Sequence, residues 1–241
     1  MRFENNHDEV GALAVAEALK YHPELETLDL RGNRIQDMGI VSLVEAMESG
    51  DTPRLRNLIL GTNRFGLEGC QALARVLDVC QLECLDLNCV EGINDDCLSL
   101  FARALYSNFH VKELNLFGCT SVTEAGARCL LECLQNNNHT LQYVNLKPKI
   151  SAIATQGMLI QEANISASYD QVMRQIEYWL SLNRAGRCLL HDDNAEQIPP
   201  GLWAHILAKK PRPNTLYPSS GHDEIYFHLR ETPDICCHSR G

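Results

Sequence analysis

Eleven cysteines are spread over 241 residues, and some stand at spacings that could do chemistry. Cys80/Cys84 and Cys129/Cys133 are each four apart, the separation that brings two side chains onto one face of a helix. Thiols so placed could hold a soft metal or exchange a disulfide. Cys236-Cys237-His238 offers three metal donors in a row, and His191-Asp192-Asp193 reads as a polar loop. None completes a set. The Cys-Cys-His run has no companions at the spacing of a four-ligand zinc site. Cys133 falls on an apolar helical stripe, where a thiol serves as a small core residue. The chain carries no G-x-x-x-x-G-K-[ST] phosphate loop, no G-x-G-x-x-G and no G-x-S-x-G. The reading is a protein that is not an enzyme, with no catalytic residues, no cofactor and no metal.

The elements that carry these residues explain their placing. Five segments read L-x-x-L-x-L with conservative exchanges: Leu25–Leu30, Leu55–Leu60, Leu82–Leu87, Val111–Leu116 and Leu141–Leu146. Their starts are 30, 27, 29 and 30 residues apart. Self-similarity at such a period means one supersecondary unit stacked on copies of itself. A second series, Gly11, Gly39, Gly69, Cys97 and Gly126, keeps the same step. Four, seven and eight residues beyond each lies an apolar residue, as in Leu43/Ala46/Met47 and Leu130/Cys133/Leu134. That is one stripe on one helical face. Each unit is therefore a short strand, a turn and a helix of about three turns. Neither element buries its apolar side alone, so stacking must create the core.

Asn5, Asn33 and Asn63 each stand six residues before the helix glycine. A side-chain amide there can satisfy backbone groups left over at the strand end, and stacked copies would form a polar ladder. The third and fourth repeats carry an extra residue, with Val90 and Cys119 at the asparagine position, so a looser ladder is expected there.

The run Leu25-Glu-Thr-Leu-Asp-Leu-Arg-Gly-Asn33-Arg-Ile35, followed by Asp37 and Gly39, resembles the ribonuclease-inhibitor class of leucine-rich repeats. The resemblance implies a right-handed α/β horseshoe, a solenoid with a parallel sheet on the concave face, helices outside, and buried, reduced cysteines. It spans residues 1–150 with an incomplete first repeat, leaving 151–241 as a helical C-terminal cap. The chain starts inside a repeat with no polar cap in view. The sequence is then either a piece of a longer chain, or residues 1–10 fold over the edge. Lys147-Pro148-Lys149 suits the end of the last strand, because Pro removes a ladder donor.

Residues flanking the later leucines point away from the core. They form three columns: Thr27, Asn57, Cys84, Glu113, Tyr143; then Asp29, Ile59, Asp86, Asn115, Asn145; then Arg31, Gly61, Asn88, Phe117, Lys147. Asp29, Arg31, Ile59, Asp86, Asn88, Glu113, Asn115, Phe117, Tyr143 and Asn145 form the candidate partner-binding face. Aromatics among carboxylates and amides are the composition of interface hot spots.

Formal net charge is −10: residues 1–150 hold 13 Lys+Arg against 21 Asp+Glu, and the remainder 8 against 10. An acidic repeat region opposes nucleic acid as the ligand and fits a basic protein partner. The first residues are polar rather than a leader, and no run of 18 apolar residues exists. The expectation is a cytoplasmic (or nuclear) protein with reduced thiols and no membrane contact.

Beyond residue 150, Ile150–Asn164 reads as a degenerate last helix, and three further segments follow it. Asp170–Leu190 is capped by Asp170, carries Val172, Ile176, Trp179, Leu180 and Leu182/Asn183 on one side, and stops at Gly186. Ile198–Lys210 opens on Pro199-Pro200, and His222–Arg230 follows. Trp179 and Trp203 would dock these helices. This region resembles the C-terminal tail of leucine-rich-repeat proteins of diatom-type algae. Two alternatives accompany the scaffold reading. Ran GTPase activators share the repeat class, which would give Arg34 and Arg64, at matching turns, the task of stabilising transition-state charge. Ile198–Leu207 has some likeness to an F-box helix, which would make the chain a ubiquitin-ligase adaptor.

Overall fold

A computed structural model describes residues 9–50, 52–146 and 167–184. Alternating elements run α1 (Glu9–Leu19), β1 (Thr27–Asp29), α2 (Asp37–Glu48), β2 (Asn57–Ile59), α3 (Leu67–Val79), β3 (Cys84–Asp86), α4 (Asp95–Ser107), β4 (Glu113–Asn115), α5 (Glu124–Asn136), β5 (Tyr143–Asn145) and α6 (Ala167–Arg184). The strands make one parallel sheet in chain order. Leu28, Leu58, Leu85, Leu114 and Val144 pair in a single row across it. They are buried, while the residues on either side of each stay partly open. One face of every strand therefore meets the helices and the other does not.

The helical stripe is wider than its leucines announce. The position directly after the helix glycine is also interior: Ala12, Ile40, Cys70, Leu98 and Ala127 are all buried. With Leu43, Val44 and Met47 on α2, or Leu130, Leu131 and Leu134 on α5, this gives the i, i+3, i+4, i+7 pattern of a face packed on both sheet and neighbouring helices.

The turns after the strands share an unusual backbone. Gly32, Thr62, Cys89 and Gly118 occupy the same repeat position, and all have positive φ, between 54° and 78°. The left-handed bend aims the amide at the next repeat: Gly32 N donates to Gly61 O, Thr62 N to Asn88 O and Cys89 N to Phe117 O. Two glycines hold this conformation without strain. Thr62, β-branched, does not.

Asn63 sits in the turn as expected of the ladder. Its Oδ1 accepts from the amides of Asn33 (3.1 Å) and Ile35 (3.0 Å), and its Nδ2 donates to the carbonyls of Leu30 (3.0 Å) and Leu60 (2.7 Å). At the equivalent place Val90 is buried and apolar, and the Cys119 thiol makes a 3.3 Å bond to Leu87 O.

A second amide ladder runs where the helices hand over to the strands. Asn138 Nδ2 donates to Leu105 O and Asn108 O, while its Oδ1 accepts from Thr140 N and Leu141 N. Asn108 repeats this, donating to Leu77 O and accepting from His110 N and Val111 N.

The helix starts are joined through carboxylates. Asp37 Oδ1, on α2, accepts from Gly66 N, just before α3, and from Gly69 N in its first turn. Asp95, on α4, accepts from Thr123 N and Thr123 Oγ before α5. A Cβ on Gly69 would come within 3.0 Å of the Asp37 oxygen, and one on Gly126 within 2.6 Å of Asp95 Oδ1. Between these two junctions the acid position is Leu67, and there the glycine position is Cys97.

The chain divides into two compact units, 1–176 and 177–241. Within the first, the start of α6 meets the last repeat: Tyr169 Oη donates to Leu146 O (2.9 Å) and Ser168 Oγ to Glu124 Oε1 (2.6 Å). These contacts draw the helix start back to Ala167. Asp170 is accordingly a first-turn acid rather than the cap, a placing that favours the helix dipole. Val172 and Ile176 are buried. In the second unit Leu180 and Leu182 are buried, Trp179 is half-exposed with its ring edge-on to Tyr178 at 5.4 Å, and Arg184 pairs with Glu177. Asn5, Lys147-Pro148-Lys149, Gly186, the segments Ile150–Asn164, Ile198–Lys210 and His222–Arg230, Trp203, His191-Asp192-Asp193 and Cys236-Cys237-His238 lie outside the described residues.

Candidate functional site

The open sheet face is a surface to which all five described strands contribute. The first two columns align as the periodicity demands: Thr27, Asn57, Cys84, Glu113 and Tyr143 form one register row, and Asp29, Ile59, Asp86, Asn115 and Asn145 another. In the third, Arg31, Gly61, Asn88 and Phe117 sit beside one another through the turn hydrogen bonds, and Lys147 lies outside the described residues. Phe117 is 38% exposed and Tyr143 41%. Ile59, Glu113 and Asn145 are half-buried.

Several of these side chains brace their own strand ends. Asp29 Oδ1 accepts from Arg31 N, Asp86 Oδ1 from Asn88 N, and Asn115 Oδ1 from Phe117 N. The step is two residues each time, a local turn that Asp and Asn make readily. Across the strands Asn57 Nδ2 donates to Thr27 Oγ1, and Asn115 Nδ2 to Asp86 Oδ1. Asn88 lies flat over Gly61, where any Cβ would strike it, and its buried Oδ1 has no hydrogen-bond partner.

The thiols read differently once placed. Cys80 caps the end of α3 and Cys84 is on β3, so the pair shares no helix face. Cys129 and Cys133 do share α5, and burial pushes the Cys133 thiol up to about 12. They line a groove of about 470 Å³ between α4 and α5, with Arg103, Tyr106, Glu132 and Asn136. A neutral thiol is a poor nucleophile. Cys84, on the open face, is raised to about 11 by burial and then by the Glu113 and Asp86 carboxylates. The eight described cysteines are all free. Among the described residues no three His, Cys, Asp or Glu gather as metal donors, and no helix is long and apolar enough to cross a membrane. Arg34 and Arg64 are exposed at neighbouring turns.

Sequence reasoning missed Asn108 and Asn138. The signal was present: each stands three residues before the first apolar strand residue, 30 apart.

Two comparisons bear on this architecture. A family profile described as Leucine Rich repeat matches residues 21–44 and 107–131. Among solved structures, the leiomodin-1 actin-binding site 2 chain superposes with a TM-score of 0.58 at 16% identity, covering 76% of this chain and 95% of that one. The tropomodulin C-terminal domain from Caenorhabditis elegans gives 0.52 at 13% identity, covering 73% and 98%. Parallel strands in chain order, leucines stacked in one row, and these matches together make the chain an α/β leucine-rich-repeat solenoid.

Proposed function

We propose that this protein is a non-catalytic scaffold that holds another protein, basic in character, against the open face of its sheet. The observation that carries the reading is the pair of exposed rings, Phe117 and Tyr143, set among the partly open polar side chains of five registered strands. Rings with polar neighbours supply rigid contact area at little entropic cost. The repeats are of the ribonuclease-inhibitor kind, as the Asn63 amide ladder and the period near 29 residues suggest. A cytoplasmic or nuclear setting suits its free thiols.

Leiomodin-1 supplies the first partner to try, because the matching chain is an actin-binding site. Actin, monomeric and filamentous, is the bait in a pull-down, alongside capture from a cell extract. Retention by wild type that is lost in Phe117→Ala/Tyr143→Ala, with the thermal melt unchanged, supports the face. Full retention by that variant overturns it. The exposed Arg34 and Arg64 favour a second reading, GTPase activation. It predicts single-turnover GTP hydrolysis by a small GTPase that accelerates with wild type and not with Arg34→Ala or Arg64→Ala.

A further inference from the structure

Asp29 and Asp86 occupy the same register row of the sheet, and the residue two positions on differs between them. Two positions after Asp29 comes Arg31. Its amide bonds Asp29 Oδ1, and its guanidinium approaches Oδ2 at 3.6 Å. Two positions after Asp86 comes Asn88. Its amide makes the same bond to Oδ1 (2.9 Å), and Asn115 Nδ2 adds a second (3.1 Å). The Asn88 side chain lies against Gly61 and supplies no charge. Asp86 is thus held firmly by one oxygen, with no described donor on the other. In the first repeat the protein fills this position with its own arginine.

The surroundings of Asp86 are suited to the same group from outside. Phe117 is the third-column neighbour of Asn88 and is exposed, and its amide is fixed by Asn115, the residue that also orients Asp86. Cys84 and Glu113 adjoin, and the Cys84 thiol is raised by burial first and then by the Glu113 and Asp86 carboxylates beside it. Among the described residues of β3 to β5 and their turns, the three columns contain two carboxylates and no cation.

We infer that the β3–β4 part of the open face takes an arginine side chain of a protein partner, its guanidinium on Asp86 Oδ2 beside Phe117, in the position that Arg31 takes on Asp29. The inference rests on the open-face reading above and narrows it. Guanidinium is favoured over ammonium because it is planar, stacks on rings and donates several parallel bonds.

The probe is fluorescein-labelled nona-arginine at low ionic strength, read by anisotropy against nona-lysine. Asp86→Asn keeps the shape and both Oδ1 bonds while removing the charge. Asn88→Arg keeps Asp86 and neutralises it from within, as in the first repeat. Each is expected to weaken nona-arginine about tenfold, while Asp29→Asn changes it by less than about twofold. Nona-lysine is expected to bind more weakly than nona-arginine. Equal weakening by all three variants would mean diffuse charge, and no weakening by Asp86→Asn would mean no site; either overturns the inference. Equal binding of the two peptides overturns the choice of arginine. If Asn88→Arg melts early, Asp86→Asn against Asp29→Asn still decides. Capture of a partner that fails in Phe117→Ala/Tyr143→Ala but survives Asp86→Asn would leave the open-face reading standing and remove this one.

Discussion

After β2 the chain turns on an amide; after β4 it turns on a thiol. Asn63 closes four hydrogen bonds across two repeats, and Cys119, at the equivalent position, has only the weaker bonds of a sulfur, to Leu87 O and to the backbone of Val90 and Cys89. Both sites are buried. The same fold passes through both because the left-handed residue just before, Thr62 or Gly118, is common to them. The bend is the shared requirement, and the side chain that follows decides how many backbone groups it can satisfy.

The sharpest way to break this comparison is to remove each side chain. Asn63→Ala strands two buried amides and two carbonyls and is expected to cost about 3 kcal/mol. Cys119→Ala loses only weak sulfur bonds and a little volume, about 1 kcal/mol. Urea unfolding at constant slope measures both, and equal losses would sink the distinction.

A thiol titrates and an amide does not. Burial pushes Cys119 up to about 12, whereas a thiol in the unfolded chain ionises near 8.5–9. Above that value the unfolded chain releases its proton first, so stability present below pH 9 is lost as pH rises toward 12, by about 1.4 kcal/mol per unit. Cys133, also near 12 for the same reason, adds its own share. Stability measured between pH 8 and 11 should fall, and fall less steeply in Cys119→Ala. An unchanged slope in that variant would show that the thiol ionises no later folded than unfolded.

The smallest effect tests the shared bend. Thr62→Gly relieves a β-branched residue at φ 58°, offset by the extra freedom of an unfolded glycine. A net gain of about 0.5 kcal/mol is expected. A loss would mean that the threonine side chain contributes more than its strain costs.

What could be read from the chain alone follows period and polarity. The leucine rows, the strand registers and the Asn63 ladder are stated by spacing, because stacking forces equivalent residues into line. The columns on the open face came with them. The position after each helix glycine escaped notice because Ala12 and Ala127 are small and Cys70 is ambiguous, so no strong hydrophobic signal marks it. Asn108 and Asn138 repeat at the period of the array, but asparagine is common in loops and the pair alone assigns no role. Their work is visible only when Leu77 and Leu105 of the repeats before are brought alongside. The start of α6 was misplaced at Asp170 because tertiary bonds from Ser168 and Tyr169 decide it. The Asp86 arrangement was not legible either: that the Asn88 side chain packs on Gly61 while its amide bonds Asp86 Oδ1 is a matter of direction, which composition does not carry.

The carboxylate that each of α2 and α4 lends to its successor makes the units unequal. Asp37 needs a bare Cα opposite it, as Asp95 does, while Leu67 tolerates the bulk of Cys97. Deleting the second repeat would press a charged group onto a sulfur-bearing Cβ, whereas deleting the second and third together would set acid against glycine again. Lengthening or shortening this array is therefore easiest two modules at a time.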